Sequence, residues 1–318
     1  MPTLPAGCST RPGDCVTVAV PAKINLGLAV GPLRPDGFHE LRTLFHAVDL
    51  YDLVTARPHD RIALTLAGDE AGGLLADSSN LAWRAAQLLA DRAGCPAGVR
   101  LEVTKQIPVA AGLAGGSADA AASLLACARL WQLDLTAAEF DGLAAELGSD
   151  VAFALHGRSA IGTGRGELLT DLPAHPPVHW VLAIAEGGLA TPAVYTELDR
   201  QRAGAEPVPG SFDLAKLAGA LRTGQPAELA PLIGNDLQQA ALALAPQLGR
   251  TLAAGRQLGA LAGLVSGSGP TCAFLAADRL AADRLAAGLQ ASGTCRFARA
   301  VIGGVAGAAI LDPATVAR

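Results

Sequence analysis

The hydrophobic and polar positions change period several times along the chain, and each change marks an element. Residues 15–20 alternate and are rich in β-branched side chains, which predicts a strand running into Pro21. Residues 50–56, 61–66 and 99–104 read as strands for the same reason. Between them, 80–92 has helical spacing, with Leu81, Leu88 and Leu89 on one side and Ser79 as its N-cap. Residues 117–131 are strongly helical, and Thr136 with Glu139 forms a capping-box pattern for a helix ending near Leu147 and Gly148. Residues 159–169 predict a glycine-containing hairpin.

The stretch 171–177 is proline-rich and suits a domain joint. Beyond it, 180–185 predicts a strand, Pro192 the first turn of a helix, and 201–210 a loop. Several Ala/Leu helices follow. Residues 264–275 read strand–turn–strand, 276–291 an amphipathic helix with Arg279 and Arg284 on its polar side, and 296–302 a closing strand. A local echo, Ala-Ala-Asp-Arg-Leu, is too short to signal a repeat architecture. Strands and helices mix, some in pairs and some alternating, so the expected class is α+β rather than a doubly wound sheet. The joint divides the chain into a leader, 1–14, an N-terminal domain, 15–172, and a C-terminal domain, 173–318.

Composition narrows the picture. A chain of 318 residues, 51% hydrophobic and 17% charged, has room for two modest domains with real cores. Aromatics are only 4%, so packing must rest on Ala, Leu and Val. The net charge of −5 argues against nucleic-acid or membrane-surface partners, and an anionic ligand would need a local positive site. The six cysteines form no C-x-x-C and no zinc spacing, which predicts free thiols in a reducing cytosol. His175 and His179 are four apart, but two prolines between them exclude a shared helix face and a metal site there. Residues 1–14 lack the basic-then-apolar order of a signal peptide and the Ser/Arg bias of a transit peptide, and no uncharged apolar run reaches membrane-span length. The expected setting is a bacterial cytosol.

Five segments can carry chemistry. Pro108-Val109-Ala110-Ala111-Gly112-Leu113-Ala114-Gly115-Gly116-Ser117 is a small-residue loop leading into a helix, where unpaired N–H groups and the helix dipole suit a polyphosphate. It lacks the Gly-Lys-Ser/Thr ending of a Walker A loop, and a turn built for tight helix packing explains it equally. In Pro21-Ala-Lys23-Ile-Asn25, Lys23 and Asn25 share a strand face; a solvated lysine is the plain alternative. In Leu147-Gly-Ser-Asp150-Val, Asp150 either caps the next helix or is a carboxylate aimed at a nucleophilic hydroxyl. Ser266-Gly-Ser-Gly-Pro-Thr271 is a tight turn or a second glycine loop beside the first. Arg34-Pro-Asp-Gly37-Phe38-His39-Glu40 joins turn chemistry to a Phe-His pair that is either a buried hinge or a site able to stack on and bond a nucleobase.

In this order, and spanning residue 16 to about 275, these motifs resemble the GHMP kinase superfamily, together with Leu50-Tyr-Asp52 and Ser79-Asn-Leu81. The Lys-Ile-Asn and Asp-Gly-Phe-His-Glu segments are most similar to the family that phosphorylates 4-CDP-2-C-methyl-D-erythritol. The resemblance implies a GHMP fold: an N-terminal ATP domain like the second domain of ribosomal protein S5, a ferredoxin-like C-terminal domain, and a cleft between them. It implies transfer of the ATP γ-phosphate, with Mg²⁺, to the substrate's 2-hydroxyl in the non-mevalonate isoprenoid pathway, by a monomer or weak homodimer. Lys23 and Asp150 then match the catalytic pair, and Asn25 a residue holding them and the substrate. Phe38 and Tyr195 match two rings sandwiching cytosine, with the family's more frequent Tyr and Phe exchanged. His39 matches the reader of the cytosine edge and Thr191 a substrate-side hydroxyl. Asn80 and Lys105 match residues near adenine and its sugar, and 108–118 the phosphate loop, with Ser117 a possible Mg²⁺ ligand and Ala118 where a second hydroxyl is usual. Ala110, Ala111 and Ala114 stand where the family often has glycine. Since alanine suits only negative φ, the loop conformation is in question. The other readings are a mevalonate- or homoserine-type kinase or decarboxylase, or a non-catalytic nucleotide-binding relative. Such a binder needs neither Lys23 nor Asp150.

Overall fold

Two long antiparallel strands, β1 (Val16–Leu33) and β2 (His39–His59), form the spine of the fold. They run well past the short strands expected at 15–20 and 50–56. Val20 through Val30 is buried at every position, so the segment shows no in–out alternation, and register shifts after Pro21 and Asn25 break the two-residue period. The computed structural model describes residues 15–94, 98–203 and 212–312. The expected leader, Cys8, Cys95 and most of the 201–210 loop lie outside them.

Strand β3 (Ala63–Ala67) leads to helix α1 (Leu81–Ala93), then β4 (Gly98–Thr104), which pairs with both β2 and β3. Helix α2 (Gly115–Leu130) follows the phosphate-type loop. Helix α3 (Ala137–Leu147) has the predicted Thr136–Glu139 capping box, and α4 (Ser149–His156) follows at once. The expected hairpin is β5 (Ser159–Thr163) and β6 (Leu168–Asp171). Twelve of the α2 residues are buried, nearly all Ala, Gly, Ser or Leu. Small side chains let this helix lie against the sheet, α1 and α4 at once, which is how an aromatic-poor sequence builds its core.

Past the proline-rich stretch 171–177 come β7 (Val178–Ile184), α5 (Thr191–Arg202), α6 (Leu214–Thr223) and α7 (Pro226–Leu229). Then follow β8 (Gly234–Asn235), α8 (Gln238–Leu244), α9 (Gln247–Gln257), β9 (Ala262–Val265) and β10 (Cys272–Leu275). Helix α10 (Arg279–Ser292), β11 (Phe297–Gly303) and β12 (Ala309–Ile310) end the described chain. All strands of the described residues belong to one sheet with the main path β12-β1-β2-β11-β7-β10-β9. Strand β11 therefore does not close the chain: β12 and the two-residue β8, too short to leave a sequence signal, both pair with β1. Cys15, Cys127, Cys272 and Cys295 are free thiols. Among the described residues, no helix is long and apolar enough to cross a membrane.

Helix α4 is fastened at its C-terminal end. His156 places Nε2 2.9 Å from Asp141 and Nδ1 2.9 Å from Asp171, so both ring nitrogens face carboxylates. Partial burial opposes the imidazolium, but the hydrogen bonds and charges of Asp141 and Asp171 outweigh it and hold His156 above its ordinary value. A raised folded-state pKa means this contribution is complete below the unfolded value, near ~6.5, and is lost as pH rises through the folded one. The melting temperature should therefore fall from about pH 6.5 upward by more in the parent than in His156→Gln. Parallel pH dependences in a thermal melt would exclude the clamp.

Candidate active site

Lys23 and Asn25 do share a face of β1, as their alternation predicted. The Lys23 ammonium donates to Asn25 Oδ1 at 2.8 Å, and Asn25 Nδ2 donates to Thr43 Oγ1 at 2.8 Å. Thr43 in turn donates to the Gly27 carbonyl at 2.9 Å, fixing which way the amide points. Lys23 Nζ lies 3.6 Å from Asp150 Oδ2. Asp150 does not cap α4: the N-cap is Gly148, and the Asp150 side chain turns to Lys23 instead. Burial, and the Asp150 charge beside it, push the Tyr195 hydroxyl up to about 12, which keeps it a neutral donor.

These groups open onto a cavity of about 700 Å³. Its walls also carry Asn80, Pro108, Val109, Ala110, Ala111, Gly112, Ala114, Gly115, Gly116, Ser117 and Thr191. Leu113 and Ala118 are buried beneath them, and the Leu113 carbonyl accepts from the Lys23 amide at 3.2 Å. Helix α2 begins at Gly115, two residues before the expected start, with Ala114 as N-cap and no side chain capping its first N–H groups. Such a start presents free donors and a positive dipole end to the cavity. The Ser266–Thr271 turn is indeed a second loop against the first. Ser266 Oγ donates to the Gly112 carbonyl at 3.3 Å, and a Cβ on Gly112 (φ +74°) would strike the Ser266 carbonyl. Thr191 exchanges a hydrogen bond with Ser268 at 2.9 Å.

The doubt over alanines in the loop resolves against the sterics of alanine. Ala110 (φ +50°) and Ala114 (φ +58°) both occupy the left-handed region, while Ala111 does not. An L-residue there costs roughly 1–2 kcal/mol, part of which glycine returns through unfolded-chain entropy. Ala114→Gly is expected to raise stability by about 0.5–1 kcal/mol, read as a higher denaturant midpoint at unchanged slope. A lower midpoint would mean the methyl contributes packing that outweighs its strain.

Three groups have neighbours that the sequence did not foretell. Lys105, expected near the nucleotide sugar, borders the cavity from within a buried ion cluster. It is 1% exposed, and its ammonium is held between Asp52 and Asp119, 2.6 Å from the latter. The amine sits beneath the start of α2, 3.3 Å from where a Gly115 Cβ would be. Asp52 also accepts from the amides of Gln106 and Ile107 at 2.6 and 2.9 Å, so the triad ties β2 to the chain entering the loop. Burial pushes Asp119 up to about 8, with Asp52 adding to the rise and Lys105 opposing it. Burial works against the Lys105 charge, but the two carboxylates prevail and raise its pKa. Second, Asn80 rather than Ser79 caps α1, accepting from the Ala82 amide at 2.9 Å, while Ser79 bonds Asp77. Asn80 thus has a structural duty besides its place on the cavity wall. Third, the two rings expected to sandwich cytosine have other neighbours. Tyr195 stacks on His39 at 5.2 Å, whereas Phe38, 52% exposed, lies under the Arg165 guanidinium at 4.9 Å. His39 Nδ1 bonds the Gly31 carbonyl at 2.9 Å and Nε2 faces Asp199 at 3.3 Å, so neither ring nitrogen is free in this state.

Sequence reasoning gave no role to Asp52, Asp119, Thr43 or Arg165. The Leu50-Tyr-Asp52 motif was the available signal for Asp52.

Comparisons with known proteins agree with this geometry. The GHMP kinases N terminal domain matches residues 80–158, and the GHMP kinases C terminal domain matches 217–295. The chain is 57% identical over 296 residues to the 4-diphosphocytidyl-2-C-methyl-D-erythritol kinase of Salinispora arenicola, covering 92% of this chain and 93% of that one. It is 54% identical to the enzyme of the same name from Rhodococcus jostii, covering 94% and 96%. A crystal structure of 4-(cytidine 5'-diphospho)-2C-methyl-D-erythritol kinase superposes with TM-score 0.75 at 36% identity, over 91% of this chain and 99% of that one. A homoserine kinase from Cytophaga hutchinsonii, at 18% identity and TM-score 0.72, shares the fold.

Proposed function

The chain belongs to the GHMP kinases and, within them, to the 4-diphosphocytidyl-2-C-methyl-D-erythritol kinases, and from that premise we propose that Lys23 and Asp150 prepare the acceptor hydroxyl for phosphoryl transfer. It is an ATP-dependent kinase of 4-CDP-2-C-methyl-D-erythritol in the non-mevalonate route to isoprenoid precursors. The observation that carries the residue assignment is the Lys23–Asp150 pair, 3.6 Å apart, in the cavity that also receives the start of α2.

Bound ATP supplies the γ-phosphate. The uncapped amides of α2 and the loop 108–117 accommodate its charge. Phosphoryl transfer passes through a loose transition state, so positioning and charge neutralisation dominate. Lys23, steered by Asn25 and 3.6 Å from Asp150, orients the 2-hydroxyl. The ordinary pKa of an aspartate, about 3.9, lies far below that of an alcohol, so the proton passes to Asp150 late, as the new O–P bond forms. The Tyr195–His39 stack forms the pyrimidine end, with Thr191 on the substrate side and Asn80 on the nucleotide side.

Mg²⁺ usually keeps several waters and leans on phosphate oxygens and one or two protein oxygens. The Ser117 hydroxyl on the cavity wall fits that sparse donor set, and among the described residues no cluster of three His, Cys, Asp or Glu offers a closed cage. We place the domain boundary at 172/173, and read the protein as a cytosolic monomer or weak homodimer.

ADP release with Mg-ATP tests the reading, using 4-CDP-2-C-methyl-D-erythritol, mevalonate, homoserine and galactose as acceptors. Turnover confined to the cytidine substrate supports it. Turnover with another acceptor instead would overturn the substrate, and silence with all four would leave a nucleotide binder.

A further inference from the structure

Among the described residues, three cations line the cavity: Lys23, Lys105 and Arg165. The first is committed to Asn25 and Asp150, and the second lies between Asp52 and Asp119. Arg165 is held differently. Its charge partner, Glu167 Oε1, is 3.7 Å away, beyond hydrogen-bond reach, because the other oxygen accepts from the Arg165 amide at 2.6 Å. The guanidinium rests over Phe38, and a ring face offers no lone pair, so its N–H donors stay available for an anion.

Its position is set by the backbone. Arg165 tops the β5–β6 hairpin between Gly164 (φ +72°) and Gly166 (φ +105°). The Leu41 amide donates to the Gly164 carbonyl at 2.7 Å, and the Gly164 amide donates to Glu40 at 3.2 Å, which binds the tip to the strand carrying His39. On its other side a Gly166 Cβ would lie 3.8 Å from Ser149, the residue before Asp150. Arg165 therefore stands between the pyrimidine end of the cleft and the proposed base. A substrate whose nucleoside and reacting hydroxyl are joined by a diphosphate must pass that anion through this interval. The start of α2 is assigned to ATP, and Lys23 is held by Asn25 and Asp150.

We infer that Arg165 binds the diphosphate of the cytidine-bearing substrate and so sets the span between the pyrimidine site and Asp150. The inference rests on the substrate class read above. A bidentate guanidinium–phosphate contact is a strong, charge-assisted one.

Calorimetric binding of two probes, CDP and cytidine, to the parent and to Arg165→Ala provides the test. The variant should lose on the order of 10–100-fold in CDP affinity and nothing in cytidine affinity. In turnover, KM for the cytidine substrate should rise by a similar factor while KM for ATP holds, which also shows the variant folded. Unchanged CDP affinity would overturn the inference alone, and so would an equal loss for both probes, which would mean that Arg165 only supports Phe38. If the parent binds neither probe, the cytidine reading itself fails and this inference with it.

Discussion

Asp150→Asn is expected to lower turnover by on the order of 10²–10⁴, the usual worth of a positioned general base, while ATP affinity stays close to that of the parent. The separation follows from the architecture. Asp150 reaches the cavity from α4, whereas the loop 108–117 and the start of α2 are held by Lys105, Asp52 and the Ser266–Thr271 turn. Asparagine preserves shape but cannot accept the proton. Lys23 keeps its hydrogen bond to Asn25, so no buried amine is left without a partner. The measurement is kcat beside direct nucleotide binding. Turnover at the parent's rate would remove Asp150 from the mechanism, and joint loss of ATP binding would make it a structural residue.

Lys105→Met is the largest expected effect on stability. It leaves Asp52 and Asp119 facing each other out of water, and breaking a buried charge cluster in this way costs about 3–5 kcal/mol. For a chain of this length that is roughly 5–8 °C in the melting temperature. Two further readings separate this from loss of packing. Adding Asp119→Asn to Lys105→Met should recover part of the loss, since it removes the carboxyl that burial and Asp52 already hold at about 8. The loss should also shrink as pH falls. Without the lysine's opposing charge Asp119 rises further in the folded state, so the extra penalty on the folded form grows as pH rises past its parent value. A loss that neither the second substitution nor acid relieves would point to packing instead.

The parts of this protein that the sequence made legible are the local ones. The Thr136–Glu139 capping box, the Lys23–Asn25 face and the small-residue loop before α2 each depend on residues a few positions apart. Long-range closure was hidden. Lys105 finds Asp52 across 53 residues, and nothing near either marks the other as its partner. The length of β1 and β2 was masked because burial on both faces erases alternation. Arg165 sits in Thr-Gly-Arg-Gly, ordinary hairpin punctuation, and only the fold carries it to the cleft. The positive φ of Ala110 and Ala114 is a case where the surrounding loop overrides the residue's own preference.

The pairing of β11 with β2 at Gly303 and Val48, together with β8 and β12 on β1, also limits how the enzyme can breathe. A hinge between two bodies would have to break the Gly303–Val48 pairing, the bond from the Gly304 amide to the Ala47 carbonyl at 2.8 Å, and the pairings of β8 and β12 with β1. The floor beneath the reactants is instead a single plate, and sealing the chamber against water falls to its rim: the β5–β6 tip, the end of the β1–β2 ribbon near Phe38, and the segment before α1.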